Sequence, residues 1–202
     1  MPIETYLAFI AASLAITIVP GPTVSLIVAN SLTHGTAAGL KNVLGTQIGV
    51  AILIVILAIG LASVLAVIEP VFFWLKLAGA AYLAWLGLKL ILWPPEFGAG
   101  RTPAPPRGGF VLQGFLVILS NPKVLLVFGA FIPQFVDPSR GTALQVLLLG
   151  GTFLIVGSIT DSIYALLLGR AGRYLSQRRV RLMSRVSGCF LIGGAFWLAL
   201  KR

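Results

Sequence analysis

The chain has 202 residues, of which 58% are hydrophobic and 10% charged, with a mean hydropathy of +1.01. Soluble domains carry roughly 25% charged residues, so this composition excludes an ordinary water-soluble fold and makes lipid the solvent for much of the surface. The net charge of +10 lies beside apolar runs, which suits an anionic membrane surface and argues against a nucleic-acid partner.

A helical span needs about 20 apolar residues. Six apolar segments stand out in chain order, at 5–28, 43–67, 71–92, 110–135, 143–169 and 183–200, the sixth being short and lengthened by a snorkelling Arg185. Each is continuous, without the short-period alternation of barrel strands. The predicted fold class is therefore an all-α integral membrane protein with six transmembrane helices. Met1-Pro2-Ile3-Glu4 lacks the basic start of a cleaved signal, and the apolar run after it is too long, so a retained first span is expected.

The one clear linker is 94–108, where five prolines and three glycines forbid a helix. It separates residues 1–93 from 109–202 within a single membrane domain, with three spans on each side. Pro22-Thr23 and Pro122-Lys123 fall at comparable places in spans 1 and 4. Lys76-x-x-Gly79 and Arg185-x-x-Gly188 open spans 3 and 6. An odd number of spans per half turns the second half upside down, so two inverted three-helix repeats are expected.

Charge sets the orientation. Lys41, Lys89, Arg101, Arg107, Arg170, Arg173, Arg178, Arg179, Arg181 and Arg185 fall on one side of six spans, against Lys76, Arg140, Lys201 and Arg202 on the other. Basic flanks stay in the cytoplasm, which puts both termini outside. Arg170, Arg173, Arg178, Arg179 and Arg181 form a group suited to anionic lipids.

Three constellations carry chemistry. In Val19-Pro20-Gly21-Pro22-Thr23 the prolines remove two backbone donors and Gly21 loosens the chain. The break is either a structural kink or a cavity wall that offers carbonyls and half-helix ends to a zwitterion. In Ser120-Asn121-Pro122-Lys123 a second proline break carries an amide and a cation deep in an apolar run. A charge there costs about 2.5–3.5 kcal/mol on the insertion scale, so Lys123 needs a counter-ion or water. Asp161 is the one acidic residue inside any span, since Glu4, Glu69, Glu96 and Asp137 lie at ends or in loops. It either pairs with Lys123 as a static clasp or trades a proton as water access alternates.

Weaker signals surround these. Gln47 is polar, early in span 2, and a candidate site residue. Gly35-x-x-x-Gly39 and Gly45-x-x-x-Gly49 permit close helix contact, either internally or at a homodimer face. Tyr82 caps a cavity or packs. Trp74, Trp85, Trp93 and Trp197 read as interface or lipid-facing residues. One cysteine (Cys189) and one histidine (His34) rule out an intrachain disulfide and leave too few ligands for a His/Cys metal site.

At these residues the chain resembles the LysE/RhtB family of bacterial amino-acid exporters, the lysine-efflux and homoserine/threonine-resistance types. The resemblance spans nearly the whole length. It is carried by Pro20-Gly21-Pro22, by Lys76-Leu-Ala-Gly79-Ala-Ala-Tyr82-Leu-Ala-Trp-Leu-Gly87, by Gly114-Phe-Leu, by Asn121-Pro122-Lys123, by Phe131-Ile-Pro133-Gln134-Phe135, and by Gly188 and Gly193. It implies export of amino acids or close derivatives across the cytoplasmic membrane, coupling to the proton gradient, and no cofactor. Many members carry an acidic or other polar residue just after a glycine pair in span 2, whereas Val50 follows Gly49 here. Cationic substrates would also want more carboxylates than Asp161 alone. Both points favour neutral substrates such as threonine, homoserine or branched-chain types.

A divalent-metal or other small-solute exporter of similar build is the alternative, and the metal version would need clustered acidic, His or Cys donors. An enzyme would need a nucleophile with a base at depth, and His34 lies outside the expected core.

Overall fold

The computed structural model describes residues 1–59, 77, 80–93, 104–137, 139–171 and 177–200. Glu69, Trp74, Lys76, Gly79, Glu96, Arg101, Arg173, Lys201 and Arg202 lie outside the described residues, as do most of the linker and the adjoining parts of spans 2 and 3. Among the described residues the structure is helical, with no strand.

Helix α1 runs Ile3–Ile18, α2 Pro22–His34 and α3 Thr36–Ile59. Helix α4 covers Ala80–Leu92 and α5 Gly109–Leu119. A short α6, Pro122–Leu126, passes into a π-helical turn at Val127–Phe131 and a 3-10 turn at Ile132–Phe135. Helices α7, Thr142–Ala171, and α8, Gln177–Leu200, complete the chain.

Proline chemistry sets the first break. A residue before proline is pushed out of the α region. Val19, before Pro20, is extended at φ −67° and ψ 118°. Gly21, before Pro22, is extended at φ −138° and ψ −167°. Pro22 then occupies the first helical position of α2, where its missing N–H would have had no partner anyway. The axes of α1 and α2 differ by 52°. The same rule acts on Asn121, extended before Pro122 at φ −83° and ψ 112°. The axis there turns by 56° between Gly109–Leu119 and Lys123–Phe135.

Two boundaries differ from the sequence-based expectation. The first apolar segment continues past residue 28 to His34, and α3 begins at Thr36, before 43. The expected first loop contracts to Gly35, whose left-handed backbone (φ 85°) ends α2 while its N–H donates to Ser31 O at 3.0 Å. Lys41 therefore sits on helix α3, exposed. Arg178, Arg179, Arg181 and Arg185 likewise lie on α8 and not in a loop.

Helices α3 and α7 are each long and apolar enough to cross a bilayer, and counting each bent pair as one broken span gives up to four among the described residues. Close contacts between helices are made through glycine. A methyl group added at Gly45 would meet the backbone of Val111, and one at Gly114 the backbone of Asn42. Gly49 faces Ile118. The Gly45-x-x-x-Gly49 pair therefore packs inside, against α5. Gly87 and Gly188 bring α4 and α8 together in the same way.

The distribution of polarity is inverted relative to a soluble protein. Leu7, Leu14, Ile18, Leu44, Ile48, Ile52, Ile155 and Ile159 are exposed on the outer faces of α1, α3 and α7. Inside are Ser13, Thr17, Thr23, Asn30, Asn42, Asn121 and Asp161, together with an aromatic cluster in which Phe9 stacks on Phe131 at 5.3 Å and meets Phe135 edge-on. An apolar exterior around a polar seam is the pattern of a protein dissolved in lipid.

Candidate functional site

The two breaks dock on each other. Asn121 caps α6, its Oδ1 accepting from the Lys123 backbone N–H at 3.0 Å. That leaves its amide group free to donate, and Nδ2 donates to Thr23 Oγ1 in the first turn of α2. Lys123 reaches back the other way, its Nζ donating to the Val19 carbonyl at 2.7 Å. Its side chain passes Gly21, where an added Cβ would stand 3.7 Å from Lys123 Cδ.

These contacts meet the needs of interrupted helices. The last carbonyls of α1 have lost their intrahelical partners to the prolines, and in lipid they must be met by protein or water. Lys123 takes Val19 O, and Tyr164 Oη donates to Ile18 O at 2.8 Å. The negative end of the α1 dipole thus faces a cation, a favourable arrangement.

Helix α7 supplies the acidic group. Gly157 lies against Thr17 and Gln47, at 3.9 Å from an added Cβ to each, and Tyr164 is bound to Ile18. Asp161 falls between them on the helix, buried, with buried Thr160 beside it. It forms no hydrogen bond with a described residue, and no N···O contact within 4.0 Å joins it to Lys123. The proline break presents Lys123 with a nearer acceptor, the Val19 carbonyl.

The seam therefore brings together Gly21, Thr23, Asn121 and Lys123, with Asp161 on helix α7 and Gln47 at its α3 edge; Pro22 is buried beside Thr23, whereas Pro20 is exposed. Pro122 is seen through its backbone alone, as the first residue of α6. Near the seam, Ser13 Oγ and Gln47 Oε1 are buried with no hydrogen-bond partner among the described residues. A buried polar group left unmet costs about 1–3 kcal/mol, so the surroundings of α1 and α3 attract water or the polar atoms of a solute.

Several polar residues escape a reading of the sequence. Ser13 and Thr17 share one face of α1 with Phe9, and Tyr164 is the partner of the α1 end. A second polar cluster links three helices: Asn30 Nδ2 donates to Asn42 Oδ1 at 2.7 Å and to Gln113 Oε1 at 2.8 Å, while Asn42 Nδ2 donates to Phe110 O at 2.7 Å. The signal for it is an amide inside an apolar run, the same one that singles out Asn121. Among the described residues no three of His, Cys, Asp and Glu converge, so the divalent-metal alternative finds no donor set there.

Residues 14–202 match the LysE type translocator family. An uncharacterized membrane protein of Vibrio cholerae is 30% identical over the full length of both chains. The homoserine/homoserine lactone efflux protein of Salmonella typhimurium is 29% identical, covering 96% of each chain. The leucine efflux protein of Klebsiella pneumoniae is 26% identical, covering 96% of this chain and 94% of its own. No solved structure matches significantly. The chain belongs to the LysE type translocator family, a membrane protein by composition, by its inverted burial and by its relatives.

Proposed function

We propose that this translocator exports neutral amino acids from the cytoplasm through the seam between its two broken helices, driven by protons entering by way of Asp161. The docking of Asn121 on Thr23 and of Lys123 on Val19 carries the reading. It provides a cation and backbone carbonyls on facing walls of one polar seam. Such groups suit the carboxylate and ammonium of a zwitterion. Relatives named for homoserine and leucine efflux support an amino-acid cargo. The single acidic group in the described core favours a neutral side chain.

In this scheme the substrate carboxylate displaces the Val19 carbonyl at Lys123, and its ammonium takes up the freed carbonyls or Asp161. A proton from outside then reaches Asp161 and resets the cytoplasm-facing state. Alternation comes from residues 1–93 and 109–202 rocking as inverted three-span halves about the linker 94–108, with both termini outside. The substrate drives the change only to the extent that it binds the two states differently. Arg170, Arg178 and Arg179 are exposed and anchor the cytoplasmic face on anionic lipid, while Arg181 is half-buried and engaged within the protein.

The test is efflux from preloaded vesicles across a panel of amino acids, with and without a protonophore. Selective efflux of neutral amino acids that collapses with the protonophore supports the proposal. Equal, unstimulated leakage across the panel contradicts it.

A further inference from the structure

A second polar site lies away from the seam. Helices α2, α4 and α5, with the segment 104–107, enclose a cavity of about 570 Å³. It is large enough for a small organic solute with its water, within the range of about 300–1,000 Å³ usual for ligand pockets. Its apolar walls are leucines and the rings of Tyr82 and Trp85, which stack 6.0 Å apart.

The polar wall has a fixed polarity. The Phe110 carbonyl can only accept, so Asn42 turns its Nδ2 to it and presents Oδ1 to Asn30. Asn30 must then turn Nδ2 toward Asn42, and the same nitrogen serves Gln113 Oε1. One backbone carbonyl thereby sets three amides. Left over, on residues that line the cavity, are the Gln113 amide N–H group and the Asn30 carbonyl oxygen, neither with a hydrogen-bond partner among the described residues. Lys89 and Arg107 also line it, both exposed, with Lys89 Nζ 5.5 Å from the Trp85 ring centre. No acidic residue lines it among the described residues.

Two cations and an amide donor against one carbonyl acceptor select an anionic head, and the walls select an apolar tail. We propose that this cavity is a loading site for a carboxylate-bearing amino acid with an apolar side chain, on the cytoplasmic side of the seam. The carboxylate meets Lys89, Arg107 and Gln113. The ammonium takes Asn30 Oδ1, and the side chain rests on Trp85 and Tyr82. Asn30 and Thr23 stand seven residues apart on α2, about 10 Å along its axis, so one helix joins the two sites. Leu26, buried between them, separates the cavity from the seam. The assignment of this cavity to cargo rests on the export function proposed above.

The test uses full-length protein in phosphatidylcholine nanodiscs, free of anionic lipid, and three probes with one side chain: leucine, leucinamide and 4-methylpentanoate. Radiolabelled leucine should bind with a component that 4-methylpentanoate displaces and leucinamide does not. Lys89→Gln with Arg107→Gln should weaken that component roughly ten-fold or more, as expected for lost charge-assisted bonds. Both side chains are exposed, so the fold tolerates the change; Gln113→Leu is a second variant that should weaken it through a neutral donor. In efflux, the double variant should raise the internal leucine concentration for half-maximal rate and leave the maximal rate unchanged. Leucinamide binding as tightly as leucine, or binding unaltered in both variants, overturns the loading site. Loss of all efflux in the unmodified protein overturns the export reading instead, and the binding arm still decides on this cavity.

Discussion

Lys123 Nζ donates to the carbonyl of Val19 at 2.7 Å, across two helix breaks separated by 104 residues of chain. The contact places a cation on the carbonyl end of α1, which Pro20 has exposed. Lys123→Met keeps the apolar stem and removes the donor, leaving that carbonyl without its partner. Efflux should fall at least ~10-fold, with vesicle-reconstituted protein still folded by its melting curve. Unimpaired efflux would reduce Lys123 to a structural strut.

Asp161→Asn is nearly isosteric, and Asp161 forms no ion pair with a described residue that the change would break. The variant should fold normally and still pass amino acid down its gradient. Its efflux should no longer respond to a protonophore. Proton-driven transport equal to the parent protein would make the residue scaffolding.

Glycine contacts between α3 and α5 predict a position-specific cost. Gly114→Ala sets a methyl group against the Asn42 backbone, which also carries the amide cluster. Overpacking of this kind costs about 1–3 kcal/mol. Gly151→Ala meets nothing within 4 Å and should leave the melting temperature unchanged or slightly raised. Equal melting of the two variants would remove the claimed close approach.

Between the 3-10 turn and α7, Asp137 is a half-buried loop carboxylate. Hydrogen bonds from the Ser139 hydroxyl and backbone N–H hold it below the usual carboxylate range, with a smaller contribution from Arg140, 3.4 Å away. A depressed folded-state pKa means that the loop's stabilisation is complete above the ordinary carboxylate value. It is lost only as pH falls through the lower one. Hydrogen exchange at Ser139 should therefore stay protected throughout the neutral range and rise only in acid. In Asp137→Ala, which has no side-chain acceptor for the Ser139 N–H, it should be fast at every pH.

What is legible in the sequence is local. Proline acts on its immediate neighbour, so the breaks at Pro20–Pro22 and Pro122 follow from the residue types alone. Hydropathy likewise marks the apolar helices. The helix ends are less legible: Gly35 alone turns α2 into α3, and an apolar plot places a boundary where hydropathy drops, at 28 and 43, not where backbone geometry changes. The atoms that meet across the chain are not readable. Nothing near Lys123 says that a carbonyl 104 residues away outcompetes Asp161 for it, and Asn30 gives no sign of Gln113, 83 residues on. Those pairings follow from helix packing, which glycines at 45, 87, 114 and 188 determine.

The seam itself is open to a direct chemical probe. Gly21 has ordinary negative φ, and an added Cβ would make only van der Waals contact with Lys123. Gly21→Cys should therefore fit, in a chain whose lone cysteine is removed by Cys189→Ala. A water-soluble maleimide should label this position at membrane depth, a transported neutral amino acid should slow the labelling, and the labelled protein should cease efflux. A thiol that stays unreactive, or that reacts at the same rate with and without amino acid while efflux continues, would show that the two broken helices enclose no route for the solute.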